Sequence, residues 1–504
     1  MTMEKVMPDF KNQIERLTEI GIALSAELHL EALLEKIVRY ARELSQADAG
    51  TLYLLHEGKL HFKILQNDTL KIFQGGAGAQ PITFEPVPLE KNNVSAFAAI
   101  EGKTIAIGDV YECAEFDFSG PRRYDAITGY RTRSMLVVPM KNHEGAVIGV
   151  LQLINALEPE TKHIIPFDAD AVRLTEALAS QAAIAVSNAS LIKETKDLFN
   201  GLVKVLAMTI DARSHAARKH IQRVATLNIL LARAINEKKD GPFAGVNFSE
   251  KEMEAISIAG WLHDVGKITT PNWVVEKKSK LERPFDMIEL IRERFAFIRE
   301  QISAAGCCKQ ENPPINAQTD AIKNLDDDLQ FLCECNKPCE QMDEAVLERL
   351  RGIARKTYIE NGKPRPYLNE EELRALSVRR GNLTPEEIGV MRQHALWTKK
   401  ILAEMPFKGH LKNVPMYAGQ HHERLNGTGY PDGLAAADIP LPSRILAVAD
   451  VFEALTAKDR SYKKETNLME VFALLRRAAQ NGELDSDVVE LLIEDKVFEQ
   501  LDDV

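Results

Sequence analysis

Histidine and aspartate pairs stand at the ends of apolar runs in this 504-residue chain. The segment AGWLHDVGKI carries His263 and Asp264 directly after an apolar stretch. Further on, His421 and His422 stand side by side, and the run Ile445-Leu446-Ala447-Val448-Ala449 leads to Asp450. Imidazoles and carboxylates presented from separate apolar helices suit a buried metal centre, because a charged group is tolerated inside only when paired or coordinated. Lys267, three residues after Asp264, places a cation beside that centre.

The segments HDVGK, HHE, NGTGYP and AVAD occur in this order and together resemble the HD-GYP phosphodiesterases, metal-dependent hydrolases of cyclic di-GMP. The resemblance implies an all-α domain, the HD superfamily helical bundle, and two further ligands. His220 lies on a buried helix face continued by Val224, Leu227 and Leu231, where a lone histidine is more often ordinary core. Its spacing to Arg223 and Val224 matches the family's first metal histidine. His394, in MRQHALWTKKIL, stands at the family's third.

His220, His263, Asp264, His394, His421, His422 and Asp450 then supply nitrogen and oxygen donors with no thiolate, a set suited to iron or manganese rather than tetrahedral zinc. That is more than one metal needs once water takes positions, so two ions per chain are expected, with Asp264 bridging them. Two such ions generate a nucleophile at neutral pH and neutralise phosphoryl charge. Lys267, expected one turn beyond Asp264 on a continuing helix, meets a phosphoryl oxygen as a point charge. Gly427 and Gly429 let backbone approach a ligand or turn sharply. By resemblance, Asn426, Tyr430, Arg460 and Lys463 line the substrate cleft with them; Tyr430 would stack on a guanine, and Arg460 and Lys463 would reach the second phosphate. The chain reads Arg460-Ser461-Tyr462 where the family has Arg-Pro-Tyr.

The function expected is hydrolysis of cyclic di-GMP to pGpG and/or GMP, with cyclic GMP–AMP as the alternative substrate. A catalytically idle receptor, binding the nucleotide or a diguanylate cyclase, would be expected to lack metal histidines. An oxidative di-iron enzyme has no use for the GYP loop. Family members that hold a third metal carry a glutamate one turn before the first histidine; here that residue is Ala216. His215 is rotated about 140° off the ligand face. Two metals, and pGpG accumulating before GMP, are expected.

The elements that must position these residues fall into two domains, 1–190 and 191–504. Residues 9–46 read as two helices, TLYLL and HFKIL as a hairpin, Val94–Ile100 as a short helix, and RSMLVVPMKN with AVIGVLQLINA as a second hairpin. Over about residues 10–190 this resembles a GAF domain, an α+β sensory module with an antiparallel sheet flanked by helices, which implies an unidentified small ligand. Cyclic-nucleotide-binding members often carry Asn-Lys where this chain has Asn155-Ala156, which argues against such a ligand. Cys113 has no adjoining histidine and reads as an ordinary thiol.

From Phe167 to about Asp240 the pattern stays helical, predicting one long helix joining sensor to bundle. Leu198, Leu202, Val205 and Thr209 mark a stripe suited to a homodimer seam. Residues 282–380 read as a mostly helical insertion carrying Cys307, Cys308, Cys333, Cys335 and Cys339, the last three in CECNKPC, where buried or redox-sensitive thiols are the expectation rather than a metal site. Lys277, Lys278 and Lys280, before it, read as solvated.

The formal charge of −11 argues against a nucleic-acid polymer as partner. No apolar run approaches the roughly 18–20 residues that span a bilayer. The charged, amphipathic start lacks a signal-peptide core, and six cysteines without a regular framework suit a reducing compartment, so a cytoplasmic location is expected.

Overall fold

A computed structural model describes residues 15–27, 29–77, 80–212, 219–308, 315–457 and 467–501. The chain divides into two compact units, Met1–Leu198 and Phe199–Val504.

The first unit is built on an antiparallel sheet. Its strands are β1 (Ala47–His56), β2 (Lys59–Asn67), β3 (Ile72–Gln74), β4 (Val87–Pro88), β5 (Ile105–Ile107), β6 (Met135–Lys141), β7 (Val147–Leu157) and β8 (Ile164–Ile165). The main order is β3-β2-β1-β7-β6-β5, with β4 on β2 and β8 on β7. Glu57 and Gly58 both take positive φ (48° and 72°), the two-residue turn whose twist matches a tight hairpin. Because side chains alternate along a strand, the sheet has two apolar faces. Leu52, Leu136, Val138 and Leu151 pack with Leu33, Ile37 and Val38 of helix α1 (Leu30–Ser45) and with Leu178 and Ala182. Tyr53, Met135, Val137 and Val150 pack on the other side with Val94, Phe116 and Phe118.

Helix α2 (Ala169–Asp211) does not continue to Asp240 as the periodicity predicts. Lys219 lies in the left-handed region (φ 65°), and a new helix, α3 (His220–Glu237), begins at the next residue. A lysine there breaks the right-handed path, so His220 opens a helix rather than sitting within one. Residues 213–218, with His215 and Ala216, lie outside the described residues.

In the second unit, α3 packs Val224, Leu227 and Leu231 against Ile256 of α4 (Glu250–Leu262) and against Ile445, Leu446 and Val448 of a later helix. Three further segments complete the frame: α5 (Pro385–Ala403), α6 (Val414–Gly419) and α7 (Leu441–Thr456). Thr384 caps α5 through a reciprocal bond with Glu387, with Pro385 in the first turn, as its sequence predicts.

The segment read as an insertion, 282–380, holds an apolar core around Phe295, Leu332, Leu347, Leu350 and Leu376. It is helical over Ile288–Cys308, Ile315–Cys335, Glu344–Ala354 and Glu370–Leu376, and it also holds a hairpin of Thr357–Glu360 and Lys363–Pro366. Two of the lysines before it are not solvated. Lys277 is buried in a two-pronged ion pair with Glu387 (2.7 and 2.8 Å), and Lys280 is fully enclosed. Lys278 is exposed.

Candidate metal centre

The apolar face of α4 buries Ala255, Ile256, Ala259 and Leu262, so the helix end carries His263 and Asp264 into the interior. The chain then tightens into a 3-10 turn, Val265–Thr269. Lys267 therefore sits on this turn, not on a continuation of α4. A Cβ on Gly266 would lie 1.9 Å from the His394 carbonyl oxygen, so only glycine lets the turn press against α5. There the Gly266 N–H donates to Thr398 Oγ1 (3.0 Å), whose own O–H donates to the His263 carbonyl (2.8 Å). One hydroxyl thus ties the helix bearing His394 to the segment bearing His263 and Asp264.

The seven predicted donors converge. Asp264 Oδ2 lies 3.4 Å from His220 Nε2 and 3.3 Å from His263 Nε2. Its other oxygen, Oδ1, lies 3.4 Å from His394 Nε2 and 3.9 Å from His421 Nε2. Asp450 places Oδ1 3.4 Å from His220 Nε2 and Oδ2 3.9 Å from His422 Nδ1. Two groups of donors result, His220–His263–Asp264 and His394–His421–His422, each with ligating atoms within 4.8 Å of one another.

Three imidazoles are oriented by their own backbone. His263, His394 and His421 each donate Nδ1–H to the carbonyl three residues earlier, Gly260 (2.8 Å), Met391 (2.6 Å) and Ala418 (2.6 Å). This leaves each Nε2 lone pair directed inward, the arrangement metal-binding histidines use. His220 instead bonds Glu453 through Nδ1. Glu453, buried on α7 one turn after Asp450, also lies 3.6 Å from Arg223. Sequence reasoning passed over Glu453, Thr398 and Gly266. The available signal for Glu453 was a second carboxylate one turn after Asp450 in the same apolar helix, and for Thr398 its place one turn after His394.

The electrostatics ask for cations. Burial opposes ionisation of Asp264, yet Lys267, 2.5 Å away, and His263 hold its carboxyl well below the usual range. Asp450 is lowered too, with burial outweighed by His220 and His263. Burial pushes the His421 imidazole down to about 3, helped by repulsion from His263, and also lowers His394 and His422. Burial opposes protonation of His220 as well, but hydrogen bonds to Asp264 and Glu453 lift it to about 10. Buried carboxylates face the imidazoles of His394, His421 and His422, which burial holds neutral, so lone pairs converge on one space. His263 Nε2 and Asp264 Oδ1 have no hydrogen-bond partner although both are buried. Such orphaned atoms cost several kcal/mol (~1–3 each) unless something coordinates them, so the residues present fit a metal.

The loop after His422 is held by its own bonds. Glu423, buried, accepts from the Asp432 and Leu434 N–H groups (2.7 and 2.8 Å). Asn426 donates through its backbone to Gly482 (2.7 Å) and through its amide to Asn481 (2.9 Å), and its Oδ1 accepts from Thr428. A Cβ on Gly429 would meet Arg424 N at 2.3 Å, and Gly427 has φ 77°. Tyr430, joined to Pro431 by a cis peptide, lies 4.8 Å from the His422 ring, with Arg392 5.3 Å from the Tyr430 centroid. Arg460 and Lys463 lie outside the described residues.

Among known families, residues 29–186 match the GAF domain, and residues 218–333 and 371–488 match two descriptions of the HD domain. The chain carries a GAF domain and an HD domain. The 3′3′-cGAMP-specific phosphodiesterase 1 of Vibrio cholerae is 51% identical over 77 residues, 15% of this chain and 18% of that protein. A cyclic di-GMP phosphodiesterase of Pseudomonas aeruginosa is 39% identical over 125 residues, covering 25% of this chain and 27% of its own length. That of Thermotoga maritima is 37% identical over 131 residues, 25% of this chain and 32% of its own. This chain therefore spans less than a third of the length of each of these relatives. The GAF domain of an Acinetobacter phosphoenolpyruvate-protein phosphotransferase aligns with 36% of this chain and 97% of its own, at 16% identity and a TM-score of 0.28. Among the described residues, no helix is long and apolar enough to cross a membrane.

Proposed function

We propose that this chain is a metal-dependent phosphodiesterase that opens cyclic di-GMP to pGpG under control of its GAF domain. The observation that carries the reading is Asp264, whose two oxygens face two separate imidazole groups. Two ions, iron or manganese, would be held by His220, His263, Asp264, His394, His421, His422 and Asp450. When bound they supply a nucleophilic hydroxide and neutralise charge on the phosphoryl oxygens. Lys267 draws a non-bridging oxygen toward the centre, and Glu453 keeps His220 turned inward. Tyr430 offers a guanine a flat surface beside His422, while Gly427 and Gly429 let the loop backbone come close. Arg460 and Lys463 receive the second phosphate.

The relatives' names favour a second substrate, 3′3′-cGAMP, since the 51% identical segment belongs to a phosphodiesterase specific for it. An idle receptor is disfavoured because no ligand is missing. The GAF unit holds a half-open cavity of about 330 Å³ lined by Tyr53, Phe62, Tyr124, Gln66, Asn67 and Gln152, of a size for a small regulatory ligand. A homodimer along α2 would bring two such sensors together. Competition between the two dinucleotides in a turnover assay of metal-loaded protein decides the substrate. Cyclic di-GMP consumed first, with pGpG appearing before GMP, is the expected result; no hydrolysis of either would overturn the reading.

A further inference from the structure

The insertion meets the bundle at a neck where three stretches of chain are sewn together. The outgoing stretch bonds the middle one: Lys280 N–H donates to the Asn336 carbonyl (2.8 Å) and Leu281 N–H to Asn336 Oδ1 (2.8 Å). The middle stretch bonds the returning one: Gly381 N–H donates to the Cys339 carbonyl (2.8 Å) and Met342 N–H to the Arg379 carbonyl (2.9 Å). Into this neck projects the side chain of Lys280, with no exposed surface. Its Nζ donates to the carbonyls of Val378 (2.9 Å) and Leu376 (3.4 Å), and its third direction points at Cys339 Sγ, 3.4 Å away. Among the described residues no carboxylate forms an ion pair with it.

A buried ammonium whose oxygen partners are neutral carries an uncompensated charge, which is costly. The sulfur of Cys339 is the contacting group that can become negative. The ammonium is placed to neutralise negative charge that develops on this sulfur as it attacks a peroxide, while the Val378 and Arg379 carbonyls (3.8 and 3.6 Å) hold the sulfur in the neck. The other cysteines of the cluster lack this contact. Cys335 is buried, and its thiol is pushed up to about 11 chiefly by that burial, which outweighs the opposing pull of the same Lys280. Cys333 and Cys339 are both half-buried and open to a small oxidant, but only Cys339 has the lysine.

We propose that Cys339 is a modification site, oxidised by hydroperoxides to a sulfenic acid with Lys280 as the residue that activates it. The sulfur attacks one peroxide oxygen, the O–O bond breaks, and the S–O bond forms. Sulfur loses two electrons, and with hydrogen peroxide the other oxygen leaves as water. The ammonium then faces the sulfenate oxygen as its counter-ion. The returning stretch, which bonds Cys339 through Gly381, leads into α5, the helix that carries His394.

The test uses the full chain loaded with manganese, treated with a small excess of hydrogen peroxide, trapped with a cyclic 1,3-dione and read by peptide mass spectrometry. Cys339 is expected to label about tenfold faster than Cys333, Cys335 or Cys113, and Lys280→Met to remove most of that advantage. If Lys280→Met fails to fold, the comparison of Cys339 with Cys333 inside the unmodified chain decides. Equal labelling of the two, or an unchanged Cys339 rate in a folded Lys280→Met protein, would overturn the proposal. Because the readout is a modified peptide, it stands or falls independently of the phosphodiesterase reading.

Discussion

Three imidazoles at the centre are aimed by carbonyls three residues upstream, so their direction is set by local backbone geometry. His220 is the exception, aimed by Glu453 from another helix. A carboxylate behind a metal histidine fixes its ring and strengthens it as a donor, and losing one typically weakens metal affinity about 10–100-fold. Glu453→Gln, which keeps the shape and removes the charge, should weaken metal binding by that order in a chelator competition; unchanged affinity would reduce Glu453 to a packing residue. At this scale the convergence of His263, Asp264, His421, His422 and Asp450 was legible in the sequence from histidine and aspartate beside apolar runs, whereas His220 and His394 came only from the family resemblance. Their supports were not legible. Glu453 looks like a polar residue in a helix until the fold puts His220 beside it, and Gly266 looks like a helix break until the His394 carbonyl is seen 1.9 Å from where its Cβ would stand.

Among the elements, α5 is fixed at three points: its capping box, the Thr398 hydroxyl, and the buried pair of Lys277 with Glu387. Removing one partner of a buried pair strands the other charge, at a cost of about 3–5 kcal/mol. Lys277→Met should therefore lower stability by that order in urea unfolding, while adding Glu387→Leu should restore much of it. Equal losses in the single and double variants would show that the pair is not what holds the helix start. A run of three lysines reads as solvated surface because burial of Lys277 depends on a partner 110 residues away. The insertion's helices were visible from their periodicity. Its hairpin was not, since Pro364 and Pro366 are poor strand residues, although Asn361-Gly362 at positive φ is the expected turn between its strands.

For the whole molecule, the order of sensor, connecting helix and bundle followed from periodicity and motifs, but the break before His220 did not, because nothing in the local composition announces Lys219's left-handed backbone. Along α2, Leu198, Leu202 and Val205 are 66%, 55% and 59% exposed, continuing a three-four spacing from Ile184 and Leu191. Large apolar side chains left open at that spacing fit a second copy of the helix. Leu198→Glu with Leu202→Glu should convert a dimer to a monomer in light scattering; a native chain that is already monomeric at micromolar concentration would remove the seam. If Asp264 joins two metal sites as proposed, metal content reports on it most directly. Protein prepared without oxygen should hold two ions per chain by elemental analysis. Asp264→Ala should lose metal together with turnover, whereas Lys267→Ala should keep its metal and lose turnover or substrate affinity. An Asp264→Ala protein with its full metal content would contradict the account.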